Sequence, residues 1–435
     1  MKSVKSFDRT EESNVQMMRP DRFRQLFDNL SNPNVIPRGA GLNYCLASAL
    51  SGGSSILTSQ FNRFIDFDSN KKIIRVEPGV TIAELFEFAI TKNLMPPVLP
   101  GYPEITVGGA LAINVHGKNQ YRRGNFGDHV KRISIYHPRY GVLICSPEEN
   151  PDIYYLTIGG FGLTGFILTI DIQLEILQGR SVNVERHSVA NLIDATSIME
   201  SMADKSDFLY SWNDLNNKGK NFGRGIVYKE TFKEEGVIKN KIKTNKFFNR
   251  NIPLSLYNKF TAPMFCKAFN AKEYLLPSQN KVSLYQASFP IVDKEIYFSL
   301  FGRQGFREYQ ILLPRESWDN AIKQIESEIK SAGVVITLAS LKLFKGGRRM
   351  LNFVGDGVCL AIDTPNNPQS IAFFARLDDL AVQLGGLGNI SKDSRLSSNV
   401  VQRMYKAGYE DFKNGLHKYD PNRHFQSELS KRLNV

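Results

Sequence analysis

The chain has 435 residues, 42% of them hydrophobic and 23% charged, with a net charge of +12 at pH 7. These proportions are ordinary for a globular protein, and the length leaves room for two domains with substantial cores. Four cysteines without CxxC spacing, and six histidines none of which pair at i, i+3 or i+4, argue against a disulfide framework, a zinc site or any other metal centre. The N-terminal stretch MKSVKSFDRTEESNVQ has no apolar core of a secretory signal. No run reaches the roughly 18–20 uncharged apolar residues of a membrane span. A cytoplasmic chain is therefore expected.

From 36 to 178, short β-runs alternate with Gly/Pro/Asn turns, as at 72–79 and in the buried-looking run 166–172. One helix interrupts them over 82–92, with Thr81 as cap and Glu84 completing a capping box. Near 178 the texture changes. A strand at 308–314 leads into a helix at 318–332, and the pair recurs at 358–363 and 368–384, reading as a sheet covered by helices on one face. A further helix is expected over about 396–415, then the tail 419–423. Strands alternating with helices indicate an α+β chain.

The most informative segments are three Gly-rich loops: PRGAGLNY (37–44), VLPGYPEITVGGALAINVHGKN (98–119) and GGFGLTG (159–165). Paired glycines allow close backbone approach and turn successive N–H groups into a concavity that suits an anion such as a pyrophosphate. Three in one domain indicate a large phosphorylated cofactor lying across it.

These loops, with GNFGDHV (124–130), the extension of the third loop to Ile167, and KDSR (392–395), resemble the FAD-binding domain of the vanillyl-alcohol-oxidase (PCMH-type) flavoprotein superfamily. Within it they are most similar to the decaprenylphosphoryl-β-D-ribose 2′-oxidase family. The resemblance implies a two-domain α+β flavoprotein: an FAD domain over 15–178, a substrate domain over 179–386, and a segment 387–435 that returns to complete the FAD domain. It places Arg38, Gly39, Ala40, Gly41, Leu42, Asn43 and Tyr44 at the cofactor, with Gly101, Thr106, Val107, Gly108, Gly109, Asn114, His116, Gly117, Gly162 and Ile167. Many relatives carry a flavin-tethering histidine where this chain has Leu42, so the resemblance implies non-covalent FAD.

Lys392 and Lys118 are the implied catalytic residues, Lys392 for taking the hydroxyl proton or holding the alkoxide while hydride moves to flavin N5. Implied substrate contacts are Lys118, Trp212, Phe301, Gln310, Lys342 and Lys392. Each has a plainer reading: His116 as a hydrogen-bonded core residue, Lys392 as a surface lysine beside a helix cap, and Trp212, Gln310 and Lys342 as packing or surface residues. Two departures bear on the substrate. Ala361 stands where mycobacterial-type enzymes have a cysteine, with Cys359 two positions earlier, and Phe301 replaces a pocket tyrosine. The implied activity is oxidation of the 2′-hydroxyl of a polyprenyl-phosphate-linked pentofuranose, or a related activated sugar, to a ketone. A partner short-chain reductase would complete the epimerisation for cell-surface glycan synthesis. A soluble aldonolactone or alditol oxidase, and a non-catalytic polyanion- or glycan-binding protein on the same fold, are the alternatives.

Residues 237–272 hold Lys239, Lys241, Lys243, Lys246, Arg250, Lys259, Lys267 and Lys272, with no Asp or Glu, interleaved with large apolar residues. Such a segment suits the anionic inner face of a membrane, or else a solvated insertion packed on its own domain. With the basic excess confined to one segment, nucleic acid is not an expected partner.

Overall fold

The computed structural model describes residues 1–236 and 252–435. The first sheet joins β1 (Lys2–Lys5), β2 (Glu12–Met18), β3 (Val35–Arg38) and β4 (Ser54–Leu57) in the order β1-β2-β4-β3, with β4 parallel to both β2 and β3. It therefore begins ahead of the expected boundary at 15. Helix α1 (Phe23–Leu30) buries Leu26 and Leu30 against Val35 and Ile56.

The next strands are β5 (Phe64–Asp68), β6 (Ile73–Val76), β7 (Leu94–Met95), β8 (Val130–His137), β9 (Gly141–Cys145), β10 (Phe166–Gln173) and β11 (Glu175–Ile176). Five form an antiparallel sheet in the order β5-β6-β10-β8-β9, while β7 and β11 make a two-stranded ribbon. Helix α2 (Ile82–Thr91) starts in the expected capping box, with Thr81 Oγ1 accepting from the Glu84 N–H and Glu84 from the Thr81 N–H. Three short helices follow: α3 (Val107–Ala112), α4 (Gln120–Arg123) and α5 (Pro151–Thr157).

The second domain runs β12 (Ser181–Val189), α6 (Leu192–Met202), β13 (Phe208–Asp214), β14 (Arg224–Lys233), α7 (Thr261–Leu275), β15 (Gln279–Ser283), α8 (Leu284–Ser288) and α9 (Ile296–Ser299). It continues with β16 (Phe306–Leu313), α10 (Arg315–Ala332), β17 (Leu338–Phe344), β18 (Gly357–Pro365), α11 (Pro368–Gln383) and β19 (Leu387–Gly388). Its strands form two four-stranded sheets, β13-β14-β12-β15 and β17-β18-β16-β19. They meet where the Leu341 N–H of β17 donates to Ser211 Oγ of β13 at 3.1 Å. Helices α6, α10 and α11 cover one face: Met199, Trp318 and Phe373 share a core with Val227, Ile311 and Leu360. Trp318 Nε1 donates to Thr196 Oγ1 at 2.8 Å and locks α10 to α6. The two-domain α+β architecture is the expected one.

The helix expected over 396–415 is two helices, α12 (Ser398–Tyr405) and α13 (Ala407–Tyr419). Lys406 adopts φ +50° between them. The break lets Gly408 press on the Met350 backbone, where a Cβ would lie 2.5 Å from the carbonyl oxygen. After α13 the chain returns to the first sheet. Phe425 bridges Val35, and α14 (Glu428–Leu433) is held by Glu428, which accepts from Ser13 Oγ and the Ser51 N–H. The start of the segment from 387 goes elsewhere, since β19 is an edge strand of the second domain.

Candidate active site

A cavity opens in the first domain between the loop after β3, the start of α3 and the turn before β10, with about 810 Å³ of space counting its open mouth. Gly39, Ala40, Gly41, Leu42 and Asn43 line it with Thr106, Gly108, Gly109, Gly162 and Ile167. Its wall has no room for side chains at the key glycines. A Cβ on Gly39 would collide with Thr106 Oγ1, and one on Gly108 would lie 2.7 Å from Pro78 Cβ. Gly41 and Gly162 hold φ of +72° and +78°, a region open to glycine at little cost. Arg38 flanks this wall, bonded to Ser48 Oγ at 2.9 Å. Burial lowers its pKa, and among the described residues no carboxylate offsets the charge. A narrow, largely apolar cleft with glycine backbone on its wall and an uncompensated guanidinium beside it fits a long cofactor carrying a pyrophosphate.

A polar cluster adjoins the cavity at Tyr44, the residue after Asn43. Lys392 Nζ lies 3.8 Å from the centre of the Tyr44 ring and 3.4 Å from each carboxylate oxygen of Glu308. Antiparallel register places Glu308 opposite Asp363 and Gln310 opposite Ala361. Gln310 donates to Glu308 at 2.6 Å and accepts from Asn389 at 2.7 Å, so the chain from β16 to Lys392 is braced at both ends. The Asp363 carboxyl is held well above its usual range, first by burial and then by the Glu308 charge. The Tyr297 hydroxyl donates to its Oδ2 at 2.9 Å, and among the described residues its Oδ1 has no partner. Burial pushes Lys342 down, and Lys392 adds to the effect against Cys359 and Glu308. Burial, then Lys342 and Lys392, push His116 well below the usual histidine value, so its imidazole is neutral at pH 7.

Residues 29–145 match the family model described as FAD binding domain. The chain is 28% identical over 416 residues to decaprenylphosphoryl-β-D-ribose oxidase of Mycolicibacterium smegmatis, a match covering 92% of this chain and 89% of that protein. This chain is an FAD-dependent oxidoreductase with an FAD binding domain. It is also 23% identical over 377 residues to an uncharacterized Streptomyces coelicolor protein, covering 82% of this chain and 100% of that one. To L-galactono-1,4-lactone dehydrogenase 2 of Oryza sativa it is 25% identical over 193 residues, 43% of this chain and 31% of the plant protein. FAD is the cofactor, and the cavity described above is where these residues would hold it.

The flavoprotein distributes the remaining expected site residues unevenly. Val107 is wholly buried in the core of the first domain, and Asn114 braces the turn at Gly127 and Asn352. Gly101 and Gly117 lie off the cavity wall, Gly117 pressed on the Leu99 carbonyl. Lys118 is held in a 2.6 Å ion pair with Glu230, its Nζ over the rings of Phe208 and Tyr210. Trp212 is buried against Phe269, ring centres 4.7 Å apart. Phe301 has no exposed surface and packs among Tyr257, Tyr297 and Phe306. Cys359 faces Lys342 across the strand pair, and burial pushes its thiol up to about 12.

Sequence reading missed Glu308, Asp363, Tyr297 and Glu230. One signal was present: Glu308 and Gln310 are polar residues two apart in one strand, which puts them on the same face. The residues of the basic segment at 237–251 lie outside the described residues.

Proposed function

We propose that this flavoprotein oxidises a secondary hydroxyl, the 2′-OH of a lipid-phosphate-linked pentofuranose, to a ketone, the first half of an epimerisation that a short-chain reductase would complete. The observation that carries the reading is Lys392, held by Glu308 and stacked on Tyr44 at the edge of the cofactor cavity. The similarity to an oxidase of decaprenylphosphoryl ribose, along nearly the whole of both chains, supports the substrate class.

Bound FAD, untethered because Leu42 offers no nucleophile, supplies the acceptor for the hydride lost from the carbinol carbon. The chain's own residues handle the proton and the charge. Glu308 flanks Lys392 with both oxygens and fixes its Nζ, which then stabilises the developing alkoxide. The hydroxyl proton then has the Glu308 carboxylate within reach. Among the described residues Lys342 makes no ion pair, which leaves it to meet the substrate's phosphate or hydroxyls. Lys118 is paired with Glu230, so in this reading it takes no part in the proton transfer. Ala361, opposite Gln310, leaves room beside the sugar. The substrate's lipid requires a meeting at a membrane surface, with the protein peripheral to the inner face.

Rapid mixing of the FAD-loaded protein with a short-prenyl phosphoryl ribose is expected to bleach the flavin band, and aldonolactones are expected to leave it unchanged. Lys392→Met should retain flavin and slow bleaching by about 10²–10⁴-fold. Near-normal bleaching in that variant would remove Lys392 from the chemistry, and bleaching by the lactones alone would replace the substrate class. Acid precipitation should release all the colour into the supernatant; a coloured pellet would mean a covalent tether.

A further inference from the structure

Helix α7 packs on the second domain with one face and turns an unusual second face to solvent. Ala262, Cys266 and Glu273, spaced i, i+4 and i+11, point inward, and Phe269 lies at their margin, still 37% exposed. Cys266 Sγ lies 3.8 Å from the Thr337 carbonyl, Phe269 meets Trp212, and Glu273 accepts from Arg186 at 3.1 Å and from the Tyr228 hydroxyl at 3.0 Å. Half a turn away lie Phe260, Met264, Ala271 and Leu275. Phe260 is 75% exposed, Met264 57% and Leu275 87%, with Leu254 nearby at 77%.

A solvent-side stripe is ordinarily polar. Here it is apolar, and its margins are lysines: Lys267 and Lys272 flank the stripe, and Lys259 precedes it. Residues 252–272 contain no Asp or Glu, and the one acid of α7, Glu273, is turned inward and paired. An apolar centre with cationic edges matches the interface of a bilayer, where the stripe enters the acyl boundary and the ammonium groups reach the headgroups.

We propose that α7 and the turn before it dock on the surface of an anionic phospholipid bilayer. A second copy of the chain fits this face badly, because a two-fold contact would set its lysines against themselves. The inner side of α7 connects the docking face to the catalytic sheet. Cys266 contacts Thr337, whose hydroxyl is 2.8 Å from that of Tyr297, and Tyr297 donates to Asp363 beside Glu308. Docking would hold the cleft at the surface where a lipid-linked sugar resides, so the proposal deepens the substrate reading above.

The test is co-sedimentation of the full FAD-loaded chain with vesicles, either phosphatidylcholine alone or equimolar phosphatidylcholine and phosphatidylglycerol. Binding to the anionic vesicles, weakening as salt rises, is expected, with little to the neutral ones. The triple change Lys259→Gln, Lys267→Gln, Lys272→Gln should lower anionic partitioning by about 100-fold. Met264→Ser with Leu275→Ser should lower it to a similar degree. All five side chains are exposed, and retained flavin absorbance reports that the variants are folded. Equal recovery of the parent protein with and without anionic lipid would overturn the proposal, as would undiminished binding by both variants. A concentration-dependent dimer lost in the serine variant, without vesicle binding, would assign the face to a second copy instead. Flavin bleaching by a water-soluble short-prenyl substrate should be unchanged in both variants. Vesicle binding without bleaching in the parent protein would refute the substrate reading and leave the docking face standing.

Discussion

Asp363 lies in the interior of the second domain with Glu308 across the strand pair and the Tyr297 hydroxyl on one oxygen. Lys392 lies with Glu308 and opposes the rise in the Asp363 pKa, but burial and the neighbouring carboxylate win. A carboxyl raised in the folded state contributes stability that is full below its unfolded value of about 4 and is lost as pH rises through the folded value. Asp363→Asn removes the ionisation and keeps an acceptor for Tyr297. Thermal unfolding should show a gain of about 1–3 kcal/mol at pH 8 that shrinks toward pH 5. A variant less stable than the parent at pH 8 would mean that Asp363 is charged there and held by Lys392. Beyond the spacing of Glu308 and Gln310 on one strand, none of this was legible in the sequence. Lys392 and Glu308 are separated by 84 positions, and Lys118 and Glu230 by 112; only strand register and domain packing bring each pair together. The motif around Lys392 marked the lysine and could not show its counter-ion.

At the scale of elements, legibility follows how local the determinant is. The capping box at Thr81 and Glu84 spans three residues, and the helix begins where it indicates. The glycine loops were readable because their backbone demands are local. The break at Lys406 was not, since the position carries neither Pro nor Gly and the constraint comes from Met350 pressing on Gly408. Loop and helix are also coupled to each other. Thr106 Oγ1 accepts from the Gly109 N–H at 3.2 Å as the cap of α3, and the same oxygen fills the space beside Gly39. Gly39→Ala would drive the hydroxyl off its cap and shift two walls of the cofactor cavity at once. Loss of the cap costs about 1 kcal/mol, and the displaced wall adds to it, so FAD affinity should fall at least about 5–10-fold in a flavin-fluorescence titration. Unchanged affinity would mean that the loop yields without disturbing α3.

Across the whole molecule, the two chain ends close the same domain. The strands β1 and β2 enter its first sheet, and the last residues return to it. Arg432 reaches Glu11 and the Asp393 carbonyl, and Phe425 fills the core formed by Leu26, Val35 and Ile56. Strand β3, against which Phe425 packs, leads directly into the loop at 39–43 on the cavity wall. The C-terminal turn therefore supports the cavity wall from behind, without lining the cavity. Phe425→Ala should cost about 3–5 kcal/mol, and the loss should fall on the first domain. Two signals separate the domains. Both tryptophans of the chain, Trp212 and Trp318, are in the second domain, so tryptophan emission follows its unfolding, while release of quenched flavin follows the first. In Phe425→Ala the midpoint of flavin release should drop well below the tryptophan transition. In Phe301→Ala, which opens a comparable cavity among Tyr257, Tyr297 and Phe306 of the second domain, the tryptophan transition should fall instead. If both midpoints fell together in both variants, the molecule would unfold as one cooperative unit, and support of the flavin loop by the C-terminal turn would have no separate existence.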